Sequence, residues 1–431
     1  MPRSYPRAWL AILLTLAPNV AGAQGTRAAP KIGQIRINGN HRFPADKIIA
    51  ASGLRSGQPA SQRILEQAAS RLAQTGIFSD LSYQFRPRAG VWDAVFEVVE
   101  FTNFHPCTFD NFLWFKDSEL LAAIAHDVPL FDGALPDGRA MQDQVTAALD
   151  RFLHAHQIAG TTTVRPSYER MGSVPTYSLV VTGVPMPVVA VQVTGGPLDP
   201  AVITDAAKGI FDHDYSRSTS HALAQTALTG TYQDEGYWKA QFSEPIASMR
   251  DPAGKDSSQG VIVTFSVTPG LRYNWAGASW SGTQAMTAEQ LNKLVRLSAG
   301  EIARRRLTQE SWDAARTALG QFGYLTAAVA GTPQFDDTSA TVHFDAVITE
   351  GPQYRMGELK VDDPSGDIVQ AITEAWPLHR GDIYASNAPA EFDKRLRQRG
   401  RVPAARNGRR LGVTTSLNTA NATVLVVIKY Q

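Results

Sequence analysis

Cysteine is almost missing. Cys107 is the one cysteine in 431 residues, so the chain cannot form an internal disulfide and must be held by packed apolar cores. Cys107 itself reads as a small buried apolar side chain rather than a reactive thiol or an intermolecular bridge. An excess of either charge is missing too: 41 Lys and Arg stand against 40 Asp and Glu, which leaves no overall field to attract nucleic acid or a polyanionic substrate. Past the N-terminus no apolar run approaches the roughly 20 residues that a helix needs to cross a bilayer, which excludes a polytopic helical membrane protein. Catalytic signatures are lacking as well: there is no Gly-x-Ser-x-Gly elbow, no phosphate-binding glycine loop and no cysteine pair. His154 and His156 are two apart on an expected helix and so point to different faces, whereas a metal pair would be three or four apart. Asp212-His213-Asp214 reads as a polar loop between helices, with a metal or general-base role as the alternative. No metal, cofactor or enzymatic activity is expected.

What is present begins with an export signal. Arg3 and Arg7 precede the apolar stretch Ala8 to Ala17, and Ala21-Gly22-Ala23 stands before Gln24. These are the three parts of a cleaved signal peptide covering residues 1–23, the alternative being an N-terminal membrane anchor. With 43% hydrophobic and 19% charged residues, the remainder is a folding composition, long enough for several domains.

One pattern recurs about every 80 residues. It reads strand, helix, helix, strand, strand, in units expected at 31–101, 102–185, 186–270, 271–351 and 352–431. In the first, Gly33, Ile35 and Ile37 alternate with polar residues on a strand, and Ile64, Ala68 and Leu72 line one face of a helix that Gly76 stops. Leu81, Tyr83 and Phe85 then alternate on a second strand, and Val95 to Val99 closes the unit. In the third, Asp199-Pro200 starts a helix, and in the fourth Thr287 and Gln290 make a capping box. The glycines after the first strand and after the second helix lie 37, 40 and 41 residues apart in units one, three and four (Gly39 and Gly76, Gly196 and Gly236, Gly282 and Gly323). Units two and five are poorer copies: Phe101 to Phe115 crowds aromatics at the start of unit two, and the Gly400 segment of unit five lacks apolar alternation.

The last two strands of a unit are close enough for a hairpin, while the first, reached through two helices, suits a parallel partner. The closing strands are the most continuously apolar, as in Val424-Leu425-Val426-Val427-Ile428, which marks a strand covered on both sides. The expected fold is therefore α+β: tandem small β-α-α-β-β domains, each a three-stranded mixed sheet with the closing strand central and both helices on one face. The first and second strands are left as edges, which natural proteins blunt unless they use them.

Taken in order, Ile35-Arg36-Ile37-Asn38-Gly39-Asn40, Gly53-Leu54 to Gly57, and Leu72 to Phe78 with its Gly76-Ile77-Phe78 end resemble the polypeptide-transport-associated (POTRA) domain of outer-membrane assembly proteins of the BamA and TamA type. The resemblance covers units one, three and four well and units two and five weakly. It implies a non-enzymatic array in the periplasm or at the outer membrane, with unfolded or partly folded outer-membrane polypeptides, or an assembly complex, as partners. It also implies binding by β-augmentation at sheet edges. Family members continue into a membrane β-barrel, which this sequence does not contain, so three readings stay open: a separate array, the periplasmic half of a longer insertase, or an adaptor docking one fixed partner.

Two sets of candidate site residues follow. The edge-strand set is Leu81 and Tyr83 in unit one, Ala240 and Phe242 in unit three, and Val329 in unit four, where an incoming extended peptide would pair. The second set is basic: Lys394, Arg395, Arg397, Arg399, Arg401, Arg406, Arg409 and Arg410 include no acid among them. It reads either as a solvated surface or as a contact with anionic headgroups or an acidic partner. The aromatics Phe101 to Phe115 read as the core of a distorted unit, with a peptide pocket as the alternative.

Overall fold

A computed structural model describes residues 30–430 other than 89, 168–175, 252, 254, 255, 364, 365, 367, 400–404, 407 and 408. The expected signal segment and Arg401 lie outside the described residues. The chain falls into two compact bodies, Met1–Gly183 and Val184–Gln431. The first holds two separate sheets and the second three.

Each sheet has the same heart. In unit one the first strand, Lys31–Asn38, pairs in parallel with the central strand, Val91–Glu100, and the edge strand, Phe78–Arg88, pairs antiparallel with its other side. Unit four repeats this with Asn274–Ser281, Thr341–Thr349 and Ala328–Asp336. The closing strand is central and the sheets are mixed, as the hydrophobic patterns require. Both helices of a unit pack on one face: in unit five, Ile372 and Phe392 from the two helices join Met356, Val424, Val426 and Ile428 in one core. Alternation on the central strands explains this, since Val342, Phe344, Ala346 and Ile348 are all buried on the helix side.

Local signals behave as read. Asp199 accepts a hydrogen bond from the Ala201 amide at 2.7 Å, and Thr287 and Gln290 bond each other's amides reciprocally at 3.3 and 2.8 Å. Gly39 and Gly282 take positive φ of 87° and 82° after the first strand, where a Cβ would meet the central strand's carbonyl oxygen. In unit three this part is played by Gly195 (φ 82°), one residue before the glycine the spacing pointed to; Gly196 packs instead against Tyr232.

Two recurring locks were not visible in the pattern. At the end of the central strand Glu100 accepts the amides of Arg42 and Phe43, and Glu350 accepts those of Gln284 and Ala285 together with the Thr283 hydroxyl. Each carboxylate thus fixes the loop between first strand and first helix. The second lock is a clip from the loop between the helices onto the start of the first strand. Ile32 donates to Gln58 O and accepts from Gly57; Trp275 does the same with Glu301 and Gly300, and Met356 with Asp382 and Gly381. Unit three uses Val188, His213 and Asp212 for this clip.

Three units add to the three-stranded heart. In unit two (first strand Phe104–Phe109, central Thr176–Thr182, edge Thr161–Ser167) a short strand, Ala134–Pro136, pairs with the outer side of the first strand. In unit three (first strand Val188–Thr194, central Val261–Thr268) the edge strand is split into Gln241–Phe242 and Ile246–Met249. In unit five (first strand Arg355–Asp362, central Thr423–Tyr430) the edge strand is Arg409–Asn418, and Ala405–Arg406 pairs with its start. The alternation of Leu411, Val413, Thr415 and Leu417 carries that strand; the arginines ahead of it hid it.

Within the second body the units meet through one repeated joint. The Gly236 carbonyl accepts from the Tyr273 amide at 2.9 Å, and the Gly323 carbonyl from the Tyr354 amide at 2.8 Å. A Cβ on either glycine would approach Ile302 or Ile383 to within 2.9 or 2.8 Å. Trp238, two residues past Gly236, donates to Ala303 O at 2.6 Å and lies against Phe344 of unit four.

Candidate functional site

The five edge strands are the same element in five settings, and the first strands carry the clips near their starts. In unit one the strand Phe78–Arg88 lies antiparallel to the central strand from Phe78↔Glu100 to Arg88↔Val91. Among the described residues no strand pairs with its outer side. Tyr83 sits opposite Phe96, on the core face of the sheet, with ring centroids 6.3 Å apart. It is 37% exposed although Phe96 is fully buried. Partial burial and the nearby Glu66 carboxylate on the second helix, Gln62–Gln74, raise the Tyr83 hydroxyl above its ordinary pKa. Leu81 and Phe85 flank it on the same face, both half-buried, and Phe85 leans on Trp92 at 5.0 Å. These three side chains form one partly exposed apolar row along the core face of the strand, between it and the second helix. Of the edge amides, Leu81 N–H is bonded by its neighbour, the Asp80 carboxylate.

The other candidate edge residues sit differently. Ala240 precedes its strand, its amide turned back to Tyr237 O, so it is outside the ladder. Phe242 pairs with Val267, but its ring is packed edge-on against Tyr232 at 5.3 Å and Phe265 at 6.3 Å. Val329 pairs with Ile348 and is half-buried against the apolar core of unit four.

The basic segment is less free than its sequence suggests. Lys394, Arg395, Arg397 and Arg399 lie exposed on the helix Ala388–Arg399, yet Arg397 is bonded to Asp393 at 3.3 Å and Arg399 is paired with Glu374 at 3.6 Å. Asp393 stands immediately before the basic run, and Glu374 comes from the preceding helix, Val369–Ala375. Lys394 and Arg395 remain as exposed cations with no ion pair among the described residues.

Of the aromatics of unit two, Phe109 and Phe112 are core, in edge-on contact at 5.5 Å, while Phe101, Phe104, Trp114 and Phe115 are half-buried, Phe115 packing on Phe152 and His156. Cys107 is half-buried on the first strand, and burial pushes its thiol up to about 12, the opposite of an activated nucleophile. Among the described residues no three His, Cys, Asp or Glu side chains are grouped to hold a metal. His213 and its neighbours serve the unit-three clip, with Asp214 accepting the Met186 amide at 2.7 Å. No helix among them is long and apolar enough to cross a membrane.

Comparison with known proteins points the same way. Residues 30–100 and 273–351 match the POTRA family model, described as surface antigen variable number repeat. A putative outer membrane protein assembly factor of Treponema pallidum (strain Nichols) is 22% identical over 163 residues. That covers 38% of this chain and 19% of the relative, so the chain spans about a fifth of that protein. Among solved structures, POTRA3-5 of Haemophilus influenzae BamA is 20% identical, covering 57% of this chain and 96% of that one with a TM-score of 0.41. POTRA1-3 of Omp85 from Anabaena is 21% identical, covering 57% and 95%, with a TM-score of 0.25.

Proposed function

We propose that this chain, which carries POTRA domains at residues 30–100 and 273–351, is a non-enzymatic periplasmic scaffold that serves outer-membrane protein assembly by receiving extended polypeptide segments at its sheet edges. The observation that carries the reading is an edge strand of eleven residues in unit one whose outer backbone is unpaired among the described residues. An unpaired strand offers its N–H and C=O groups to any extended chain, so one edge serves many clients without a fixed sequence. The matched family and the assembly-factor relative favour outer-membrane polypeptides, unfolded or partly folded, as those clients. Export by cleavage after Ala23 belongs to the same reading.

Titration of a labelled, urea-unfolded outer-membrane polypeptide into the mature chain tests it. Saturable binding is expected, weakened at least five-fold by Tyr83→Pro, which removes a backbone donor, and weakened less by Tyr83→Thr, which removes the ring and keeps the donor. Circular dichroism checks that both variants are folded. Proline variants that are folded and bind like the parent would discard edge pairing in favour of an adaptor with one fixed partner.

A peripheral contact with anionic lipid is the second element of the proposal, now resting on Lys394 and Arg395. Their exposure supports it, while the pairing of Arg397 and Arg399 limits its strength. Flotation with vesicles containing anionic lipid should be lost at high salt and on replacing Lys394 and Arg395 with Gln. Flotation unchanged by the double variant would remove the lipid contact from the account.

A further inference from the structure

Three of the five edge strands are blunted by their own units, and a fourth is paired at its start. In unit two the edge strand is only seven residues long and the Thr162 amide is taken by the Asp150 carboxylate at 2.5 Å. The unit-three edge breaks at Ser243, Glu244 and Pro245, leaving runs of two and four residues, with Phe242 facing inward onto Tyr232. In unit four Pro333 interrupts the donors, and Trp312 from the second helix lies so close over Gly331 that a Cβ there would meet its ring at 2.8 to 3.0 Å. The groove beside that strand is therefore filled from within. In unit five Ala405–Arg406 pairs with Arg409 and Arg410, which leaves Leu411–Asn418 as a further stretch without an outer partner among the described residues; it has no aromatic residue. Proline, interruption and covering segments are the ordinary means of protecting a sheet edge.

Unit one uses almost none of them. Its strand runs eleven residues, its one proline is Pro87 beside the end, and a single local bond, Asp80 to the Leu81 amide, engages the backbone. Leu81, Tyr83 and Phe85 stand at alternate positions on the groove side, with Tyr83 left 37% exposed. The opposite face ends in the exposed cations Arg86 and Arg88.

We infer that unit one carries the client-binding edge, and that it selects an extended amphipathic segment. Such a segment would place apolar side chains at alternate positions beside Leu81 and Tyr83, and acidic residues on its polar face opposite Arg86 and Arg88. This rests on the edge-pairing reading above and narrows it to one strand and one client chemistry. A pleated strand sends alternate side chains to opposite faces, so only a segment with period-two apolarity fills the groove while keeping its polar face in water. The two arginines add a charge preference on the solvent side, where it is screened by salt.

A photo-reactive residue placed at Gln84, Thr163, Ser248, Thr332 or Thr414, one exposed position per edge, tests this in the full mature chain. The probe is a twelve-residue peptide alternating valine with threonine and carrying two glutamates on its polar face. Comparison peptides have the same composition scrambled, or lysines in place of the glutamates. The Gln84 position should crosslink at least five-fold more than any other, the scrambled peptide should be lost, and the lysine peptide should fall at least two-fold. Equal or stronger crosslinking at another edge overturns the assignment to unit one while leaving edge pairing standing. Crosslinking at no edge overturns both.

Discussion

Units one and four are both matched by the same family model and share topology, loop glycine and carboxylate lock, yet their edge strands have opposite fates. In unit four the second helix supplies Trp312, which covers Gly331 and packs edge-on against Trp280 and Phe344 and tilted against Trp275. In unit one the second helix supplies Leu65, Ala68, Ala69 and Leu72 to the core, with no aromatic ring among them, and Tyr83 stays 37% exposed. Between these two units the sheet topology is shared, so the difference at the groove side of the edge comes from the side chains of the second helix. A large ring at that position completes the unit, and small ones leave a groove.

The largest effect should come from removing that ring. Trp312→Ala deletes a buried aromatic and should cost unit four about 3–5 kcal/mol, read as a lowered midpoint in denaturant unfolding. If the comparison is right, the variant also gains crosslinking at Thr332. Gly331→Ala should cost less, about 1–3 kcal/mol, because its Cβ must displace the Trp312 ring. A neutral result would show that the ring yields easily and that unit four is not closed.

The shared lock should behave alike in both units. Glu100→Gln and Glu350→Gln each weaken two amide bonds and should each cost about 1–2 kcal/mol at neutral pH. For Glu350 the direction with pH is set: hydrogen bonds from the Thr283 hydroxyl and the Ala285 and Gln284 amides hold its carboxyl below the ordinary range. Its contribution is therefore complete above the unfolded-state pKa, about 4.3, and is lost as pH falls through the lower folded value. Unfolding of the parent and of Glu350→Gln should converge in acid; a gap that persists there would deny the lock its charge. The smallest effect is Tyr83→Ala, expected within about 0.5 kcal/mol in stability because the side chain is at the surface, while binding falls. A large stability loss would make Tyr83 a core residue.

Much of this could be read from the chain. Alternation at Leu81, Tyr83 and Phe85, four-residue spacing at Ala68 and Leu72, and the Thr287–Gln290 capping box placed strands and helices, because these signals are local. Strand order followed from connection length and from the continuous apolarity of Val424 to Ile428. What the pattern could not carry was tertiary. The clips are backbone bonds from loops such as Gly57-Gln58, which any residue can make. Trp312 reads as one more apolar position on a helix, and only its placement over Gly331 makes it a lid on the edge. Arg397 and Arg399 looked free because their partners, Asp393 and Glu374, stand outside the run, one of them on another helix.

Hydrogen exchange of the mature chain, with and without an unfolded outer-membrane polypeptide, tests the central claim most directly, because backbone pairing slows amides whatever the side chains do. Exchange should slow over residues 78–88 and stay unchanged over residues 328–336. Slowing confined to helices or loops, with residues 78–88 exchanging as before, would contradict client binding by edge pairing at unit one.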